Sequence, residues 1–226
     1  APEGYEIHLY DEQKLGGRFM RSQIPAFRLP ETVLNEEVNY ILDLGCRDGS
    51  EAIQFSCAFP NAKIISVEAN PNQIETIKSN IKNYSNIQIF NFGVSNKEEE
   101  LDFNISSTIN IGNSSFLKIT GDYDDHEKMS FHTPIKVKTK RLDNFLKELQ
   151  IPQVDILWMD IQGFEGKAIE GLGDYIKNVK ILHSEVAYKE MYKNQLLFDK
   201  FDFCMLENGF HCIYRDYKHG DFWGDS

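Results

Sequence analysis

An acid and two glycines follow a short apolar run in the stretch ILDLGCRDGSE, residues 41–51. Asp43 is followed by Gly45 two residues later and by Gly49 four residues after that. A dinucleotide-binding loop needs a glycine where Arg47 stands, and the Gly-Lys-Ser/Thr of a Walker loop is missing. The loop therefore suits a ligand with an amino acid end and no phosphate, because a carboxylate binds a cationic group and loop N–H groups bind a carboxylate. By itself the stretch also fits an ordinary turn after a buried strand.

A second acid, Glu68, completes the pattern of a nucleoside site. It lies 25 residues after Asp43, at the end of the next apolar run, KIISVE. One carboxylate at this place accepts hydrogen bonds from both hydroxyls of a ribose. Ribose, an amino acid end and no phosphate together describe S-adenosylmethionine, so the sequence predicts this cofactor.

Three titratable residues are the candidates for acid–base chemistry. Asp160 follows the apolar run VDILWM, while His183 and Glu185 lie two residues apart near the end of KILHSEV and so point to one face. An alcohol that receives a methyl group loses its proton, and a positioned base accelerates such a step by about 10²–10⁴-fold. We predict that these three residues, Asp160, Glu185 and His183, are catalytic. A packed core position is the alternative for His183, and no third ligand joins the two acids to form a magnesium site, so no metal is predicted.

The elements that would position these residues are short apolar runs that alternate with longer amphipathic ones. Such alternation predicts βαβ units, and the mostly apolar runs YILDL and VDILWM are typical of parallel strands covered on both faces. The predicted strands are Tyr40–Leu44, Lys63–Glu68, Ile87–Phe92, Val154–Met159, Lys180–Val186 and Phe210–Tyr214. The predicted helices are Ser50–Phe59, Pro71–Asn83, Leu142–Leu149, Glu165–Ile176 and Gln195–Asn208. Ligands of such a sheet bind outside the carboxyl ends of its strands, where Asp43, Glu68 and Asp160 fall.

Two segments depart from this alternation. Residues 1–38 are predicted to be an N-terminal extension, because glycine and proline residues interrupt any long element there. Within residues 95–140, ELDFNI and IKVKTK predict a hairpin whose connection is rich in Ser, Asn, Gly and Asp. Loops of that length are commonly lids or connectors, and residues 106–134 are predicted to be mobile and to order over the acceptor. Residues 39–226 are predicted to form one domain.

Six segments of the chain carry a family resemblance. DLGCRDGSEAI, SVEANP and NFGVS are similar to the first three cofactor segments of class I methyltransferases. RLDNFL, DILWMDIQGFEGKAIEGL and HSEV narrow the resemblance, which runs from about Tyr40 to Tyr214, to the FkbM-type methyltransferase family. It implies a doubly wound, mostly parallel, Rossmann-like α/β sheet of seven strands with the last one reversed, S-adenosylmethionine as cofactor, and methyl transfer to a hydroxyl. A short closing strand is then expected around Asp221–Trp223.

The same resemblance implies which residues contact the cofactor. By position these are Asp43, Gly45, Cys46, Arg47, Asp48, Gly49, Glu68, Ala69, Asn70, Gly93, Val94 and Asp160. The glycine loop is expected to surround the methionine part, and Glu68 to hold the ribose. Ala69 and Asn70 are expected beside the adenine, with Gly93 and Val94 in its wall, although core packing alone would also explain Val94.

Composition and charge limit the classes of partner. The net charge is −11 and the pI about 5.0, so the field of the chain repels phosphate backbones and anionic membranes, and nucleic acid is disfavoured. Apolar runs reach only strand length, which predicts no membrane span. Amino-directed nucleic-acid methyltransferases carry Asp/Asn-Pro-Pro-aromatic after the fourth strand, where this chain has Asp160-Ile161-Gln162-Gly163. The expected acceptor is a sugar, a glycolipid or another small molecule, and no motif specifies an oligomeric state.

The four cysteines point to a reducing compartment. None forms a C-x-x-C pair, and no His cluster has zinc-ligand spacing, so we predict reduced thiols in a cytoplasmic protein. Two alternatives stay open on the sequence alone. One is a non-enzymatic module that binds S-adenosylmethionine or a nucleoside, and the other is a nucleic-acid methyltransferase.

Overall fold

The computed structural model describes residues 37–106, 113–120 and 133–212, together with the backbone of residues 5–7 and 223–225. The strands are β1 (Tyr5–Ile7), β2 (Tyr40–Leu44), β3 (Lys63–Glu68), β4 (Ile87–Asn91), β5 (Gly93–Val94), β6 (Glu100–Phe103), β7 (Ile135–Lys140), β8 (Val154–Met159), β9 (Val179–Ala187), β10 (Phe210–Cys212) and β11 (Trp223–Asp225). The helices are α1 (Ser50–Ala58), α2 (Ile74–Ile81), α3 (Leu142–Glu148), α4 (Glu165–Leu172) and α5 (Phe198–Glu207). Two 3₁₀ helices, Pro71–Gln73 and Gly173–Asn178, precede α2 and follow α4.

Five parallel strands in the order β4-β3-β2-β8-β9 form the centre of the main sheet. They are apolar because both faces are covered, and all six residues of β8 are buried. Leu42 and Leu157 point into the core under α3, α4 and α5, while Ile41 and Phe55 belong to the core under α1 and α2. The prediction of a methyltransferase-like α/β fold with a mostly parallel sheet is confirmed.

Three short strands extend the sheet beyond β9. β1 lies between β9 and β10 and runs parallel to both, and β11 pairs antiparallel with the last residues of β9. The sheet of the described residues therefore has eight strands, where seven were predicted, since Tyr5–Ile7 in the N-terminal extension adds one. Among the described residues of that segment three pair with neighbouring strands, too few to give a period in the sequence. The reversed strand lies at Trp223–Asp225, two residues after the expected Asp221–Trp223. The domain boundary between residues 38 and 39 stays a prediction.

A second, smaller sheet has the order β5-β7-β6. β6 and β7 pair antiparallel, as the hairpin prediction requires, although β6 ends at Phe103. Beyond it, Asn104 and Ser115 exchange backbone hydrogen bonds of 2.8 and 3.0 Å. Residues 107–112 and 121–132 lie outside the described residues, so the lid stays a prediction.

Several element boundaries differ from the predicted ones for local reasons. β4 ends at Asn91 because the chain leaves the main sheet, and Gly93–Val94 pairs with β7 instead. Gly173 adopts φ 51°, which ends α4 before the predicted Ile176. α5 begins at Phe198 because the Gln195 side chain accepts from two backbone N–H groups in the preceding turn.

Candidate functional site

A cleft of about 590 Å³, part of it open to solvent, lies at the carboxyl ends of β2 and β3. This first cleft is where an open α/β sheet binds its ligands. Seven of the predicted cofactor residues line it: Gly45, Arg47, Glu68, Ala69, Asn70, Val94 and Asp160.

Glu68, the last residue of β3, is held by backbone groups. Its side-chain oxygens accept hydrogen bonds from the Arg47 N–H at 2.9 Å and from the Asn70 N–H at 2.7 Å. Burial raises the pKa of this carboxyl to about 7, against the lowering effect of the two N–H donors, and nearby Asp160 adds to the rise. A carboxylate has about four acceptor directions, so each oxygen can also accept from a hydroxyl. The residue fits a ribose diol.

Another part of the lining of the first cleft is aromatic. Phe116 lies 4.8 Å from the Phe103 ring and 5.0 Å from the Phe164 ring, measured between centroids, and all three line the cleft. A Cβ at Gly93 would come within 2.2 Å of Phe116, so glycine at this position makes room for the ring. Together with Val94, these side chains form an apolar slot that fits a flat base such as adenine.

Gly45 brings the loop after β2 against the end of β8. It adopts φ 85°, and a Cβ there would lie 1.9 Å from the Asp160 carbonyl oxygen. Its N–H donates to the Val67 carbonyl at 2.9 Å, and the Asp160 N–H donates to the Leu44 carbonyl at 3.0 Å. Only a residue without a side chain allows this approach. The backbone that carries Asp160 is therefore fixed relative to the glycine loop.

A second cleft of about 1030 Å³, also partly open, adjoins the first. Gly45, Arg47, Asp160 and Gln162 line both clefts. Four carboxylates line the second cleft: Glu51, Asp160, Glu165 and Glu185. Arg47 carries the one positive charge among the lining residues that the structure describes. The arrangement favours neutral or cationic hydrogen-bonding ligands over anions.

The side-chain amide of Gln162 connects the two carboxylates at this boundary. Its Nε2 donates to Asp160 Oδ1 at 2.6 Å and to Glu185 Oε2 at 3.0 Å. Its Oε1 accepts from the Tyr192 hydroxyl at 2.9 Å. Asp160 and Glu185, on neighbouring strand ends, are thus brought together as the sequence predicts.

His183 lies apart from this pair. Its side chain is 2% exposed, and its ring stacks on that of Trp158 at 3.6 Å between centroids with an interplanar angle of 5°. Trp158 lines the second cleft and is the register partner of His183 on the neighbouring strand, so His183 lies beside one of the wall residues. Trp158 is among the described residues that line the second cleft, and His183 is not.

Five predicted cofactor residues also lie outside the described lining of the two clefts: Asp43, Cys46, Asp48, Gly49 and Gly93. Asp43 is 1% exposed and accepts from the Ser66 hydroxyl at 3.0 Å. Burial, with a contribution from Glu51, raises the pKa of its carboxyl to about 8. Asp48 accepts from the Ser50 N–H and hydroxyl at the start of α1. The carboxylates of Asp43 and Asp48 thus form hydrogen bonds with serine residues of the chain itself.

Glu165 is buried at the start of α4. Its Oε1 accepts from the N–H groups of Ile161 at 3.1 Å and Gly163 at 3.3 Å, and burial raises its pKa to about 7. These bonds hold the turn that carries Gln162.

The profile of the methyltransferase FkbM domain matches residues 43–212, about three quarters of the chain. The chain belongs to the FkbM methyltransferase family. The resemblance in the sequence is thereby confirmed, and with it S-adenosylmethionine as the cofactor and methyl transfer as the activity. The first cleft fits this cofactor on its own geometry, since the Glu68 carboxylate, which can accept further hydrogen bonds, and an aromatic slot both line it.

Among individual proteins, the methyltransferase is similar to the 2-O-methyltransferase NoeI of Sinorhizobium fredii (strain NBRC 101917 / NGR234). The two are 27% identical over 188 residues, which cover 80% of this chain and 76% of the relative. A SAM-dependent methyltransferase from Aquifex aeolicus is 11% identical, with a TM-score of 0.45 over 94% of this chain and 93% of that one. The N-terminal domain of EvdMO1, with SAH bound, is 9% identical, with a TM-score of 0.46 over 83% of this chain and 72% of that one.

Two absences apply to the part of the methyltransferase that the structure describes. No group of three or more His, Cys, Asp or Glu side chains there could hold a metal ion. No helix there is long and apolar enough to cross a membrane.

Sequence reasoning missed three residues of the site: Phe116, Gln162 and Tyr192. Phe116 falls in the segment predicted as a mobile lid, and only its aromatic character amid polar residues marks it. Gln162 lies in DILWMDIQGFEGKAIEGL, a segment that carries the family resemblance but gives no role for the glutamine. Tyr192 follows β9 with no periodic pattern around it, so no signal in the sequence could have found it.

Proposed function

We propose that the enzyme transfers the methyl group to a hydroxyl of a sugar, a glycolipid or another small polar molecule bound in the second cleft. One observation carries the proposal: Asp160 and Glu185 meet at the boundary of the two clefts, where a hydroxyl would approach the cofactor. The similarity to a 2-O-methyltransferase supports a hydroxyl acceptor.

The residues of the first cleft would hold the cofactor in three parts. Glu68 would bind the ribose hydroxyls, and the slot between Val94 and Phe116 would hold the adenine. The loop that begins at Gly45 would lie along the methionine part, with Arg47 the cation nearest to its carboxylate. When bound, S-adenosylmethionine supplies an electrophilic methyl group, and correct alignment of the two reactants can account for roughly 7–11 kcal/mol of barrier lowering.

Asp160 and Glu185 would serve the acceptor. A carboxylate that accepts a hydrogen bond from the attacking hydroxyl orients its oxygen and takes the proton as the bond to carbon forms. Asp160 borders both clefts and is the first candidate for this base, with Glu185 second. His183, stacked beside Trp158, would support the wall of the second cleft and would not touch the acceptor.

A transfer assay with labelled S-adenosylmethionine tests the proposal. Neutral methyl glycosides, glycolipids and small polyols form one arm, and DNA, RNA and primary amines form the other. We expect label in neutral glycosides or polyols, in a linkage stable to mild alkali, as an ether is and a methyl ester is not.

Glu185→Gln should reduce this label, and Glu75→Gln, which changes a surface carboxylate paired with Lys78, should not. Label confined to nucleic acid or amines would overturn the proposed acceptor. Tight binding of S-adenosylhomocysteine with no transfer to either arm would favour a binding module instead.

A further inference from the structure

Gln162 has its side-chain amide in contact with both candidate bases. Ionised carboxylates only accept hydrogen bonds, so the NH₂ end of the amide must face Asp160 and Glu185, and the oxygen must face away. The Tyr192 hydroxyl lies at that oxygen, 2.9 Å away, and also 3.3 Å from the Asn113 carbonyl. The shorter contact fixes which way the amide points.

The backbone of Gln162 is in a conformation that residues other than glycine seldom adopt. Its φ is 53°, and the neighbouring structure holds it there from two sides. The Ser115 hydroxyl donates to the Gln162 carbonyl at 2.7 Å, and the buried Glu165 accepts from the N–H groups of Ile161 and Gly163. Such outliers concentrate at functional sites because surrounding contacts must maintain them.

We infer that Gln162 is a positioning residue for methyl transfer. Its amide, oriented by Tyr192, holds the carboxylates of Asp160 and Glu185 side by side at the boundary between cofactor and acceptor. Two ionised carboxylates that contact the same amide group repel each other. A neutral group with two N–H donors offsets this repulsion and leaves both acids ionisable. Each carboxylate can still accept a hydrogen bond from a hydroxyl of the methyl acceptor. The inference rests on the proposed function, in which these acids meet the acceptor.

Three variants remove the contact in different ways. Gln162→Gly deletes the amide and keeps the positive φ accessible, and Gln162→Asn keeps an amide that is one methylene too short. Tyr192→Phe removes only the hydroxyl that orients the amide. Gln150→Gly is the matched control, since Gln150 is exposed, remote from both clefts and has φ 56°.

The first readout is the ¹⁵N–¹H spectrum of the side-chain amides in protein labelled at glutamine. The Gln162 signals, assigned by their loss in Gln162→Gly, should shift with pH as the adjoining carboxylates titrate. Asp160→Asn, Glu185→Gln and Tyr192→Phe should each reduce that shift. Gln162 signals that move no more than those of Gln150 would overturn the inference.

The second readout separates positioning from cofactor binding. With a compound that the enzyme methylates in the transfer assay above, Gln162→Gly and Gln162→Asn should each lower kcat at least tenfold. Acceptor KM and the affinity for S-adenosylhomocysteine should stay within threefold, and Gln150→Gly should match the unchanged enzyme. A kcat that is retained, or a loss seen only in cofactor affinity, would contradict the inference. If no panel member is methylated, the proposed acceptor is wrong, and the amide titration still decides whether Gln162 holds the two acids.

Discussion

Glu68 in the first cleft and the pair of Asp160 and Glu185 in the second are held by different means, whereas Glu165 in the second cleft is, like Glu68, bonded to two backbone N–H groups. In the first, Glu68 is 7% exposed and bonded to two backbone N–H groups. In the second, Asp160 and Glu185 are joined through the side chain of Gln162, and Asp160 is exposed. A group held by backbone depends on the fold, whereas a group held by a side chain depends on single residues. Under the proposed function, the cofactor contact at Glu68 is therefore fixed by the architecture, and the acceptor contact at Asp160 and Glu185 can change by substitution.

Removing the charge at the shared boundary should have the largest effect. Asp160→Asn should lower methyl transfer by about 10²–10⁴-fold, the usual contribution of a positioned base, because an amide cannot take the hydroxyl proton. Initial rates with labelled cofactor measure this. Asp174→Asn, at a fully exposed position, serves as the control. Transfer at the unchanged rate would mean that alignment alone carries the reaction.

The contact between the two halves can be broken at Gly45. Gly45→Ala and Gly209→Ala both place a side chain at φ near 85°, which costs about 1–2 kcal/mol. Only at Gly45 would the new Cβ meet another group, the Asp160 carbonyl oxygen, while nothing lies within 4 Å of the one at Gly209. Gly45→Ala should therefore lower the free energy of unfolding by about 1–3 kcal/mol more than Gly209→Ala, as measured in urea. Equal losses would show that the loop moves freely away from Asp160.

A smaller effect should appear in the pH dependence of cofactor binding. Ribose hydroxyls donate to the ionised form of Glu68, whose pKa in the free protein is about 7. Binding should release a proton, so the affinity for S-adenosylhomocysteine should rise from pH 6 to pH 8, by at most about tenfold per pH unit. Calorimetry in buffers of different ionisation enthalpy measures the number of protons released on binding. Glu68→Gln should flatten the dependence of the affinity on pH. An affinity that falls across this range would contradict the ribose assignment.

The same raised pKa bears on stability. The ordinary pKa of this carboxyl is 4.5, so between pH 4.5 and about 7 the folded protein binds more protons than the unfolded chain. The contribution of Glu68 to the free energy of unfolding therefore falls as the pH rises through this window. Glu68→Gln should remove that part of the slope in urea unfolding measured at several pH values.

Site residues at the ends of strands could be predicted from the sequence, whereas those that meet only through tertiary contacts could not. Glu68 ends a strand, and Gly45 and Asp160 directly follow strands, all with mostly apolar runs, so their places at the sheet edge could be predicted from spacing. The contact of Asp43 with the cofactor stays a prediction, because spacing gives the end of a strand and not the side to which a residue points. Asp43 faces Ser66 inside the sheet.

Contacts between distant segments were out of reach. Tyr192 contacts Gln162 across 30 residues, and Phe116 reaches the lining of the first cleft from the segment between β6 and β7. The strand Tyr5–Ile7 pairs with residues near position 181 and near position 211. Such pairings depend on tertiary structure and leave no local period in the sequence.

A titration with S-adenosylhomocysteine in two variants tests the division between the clefts most directly. Glu68→Ala should weaken binding by roughly 1.5–3 kcal/mol, the range for hydrogen bonds to a charged group, since the ribose hydroxyls lose their acceptor. Asp160→Asn should leave the affinity within a factor of three, because the proposed function assigns this carboxylate to the acceptor, in place of the cofactor contact that the family resemblance implies. Calorimetry on both proteins at pH 8 gives the comparison. Equal losses, or a larger loss for Asp160→Asn, would make Asp160 a cofactor ligand and contradict the account.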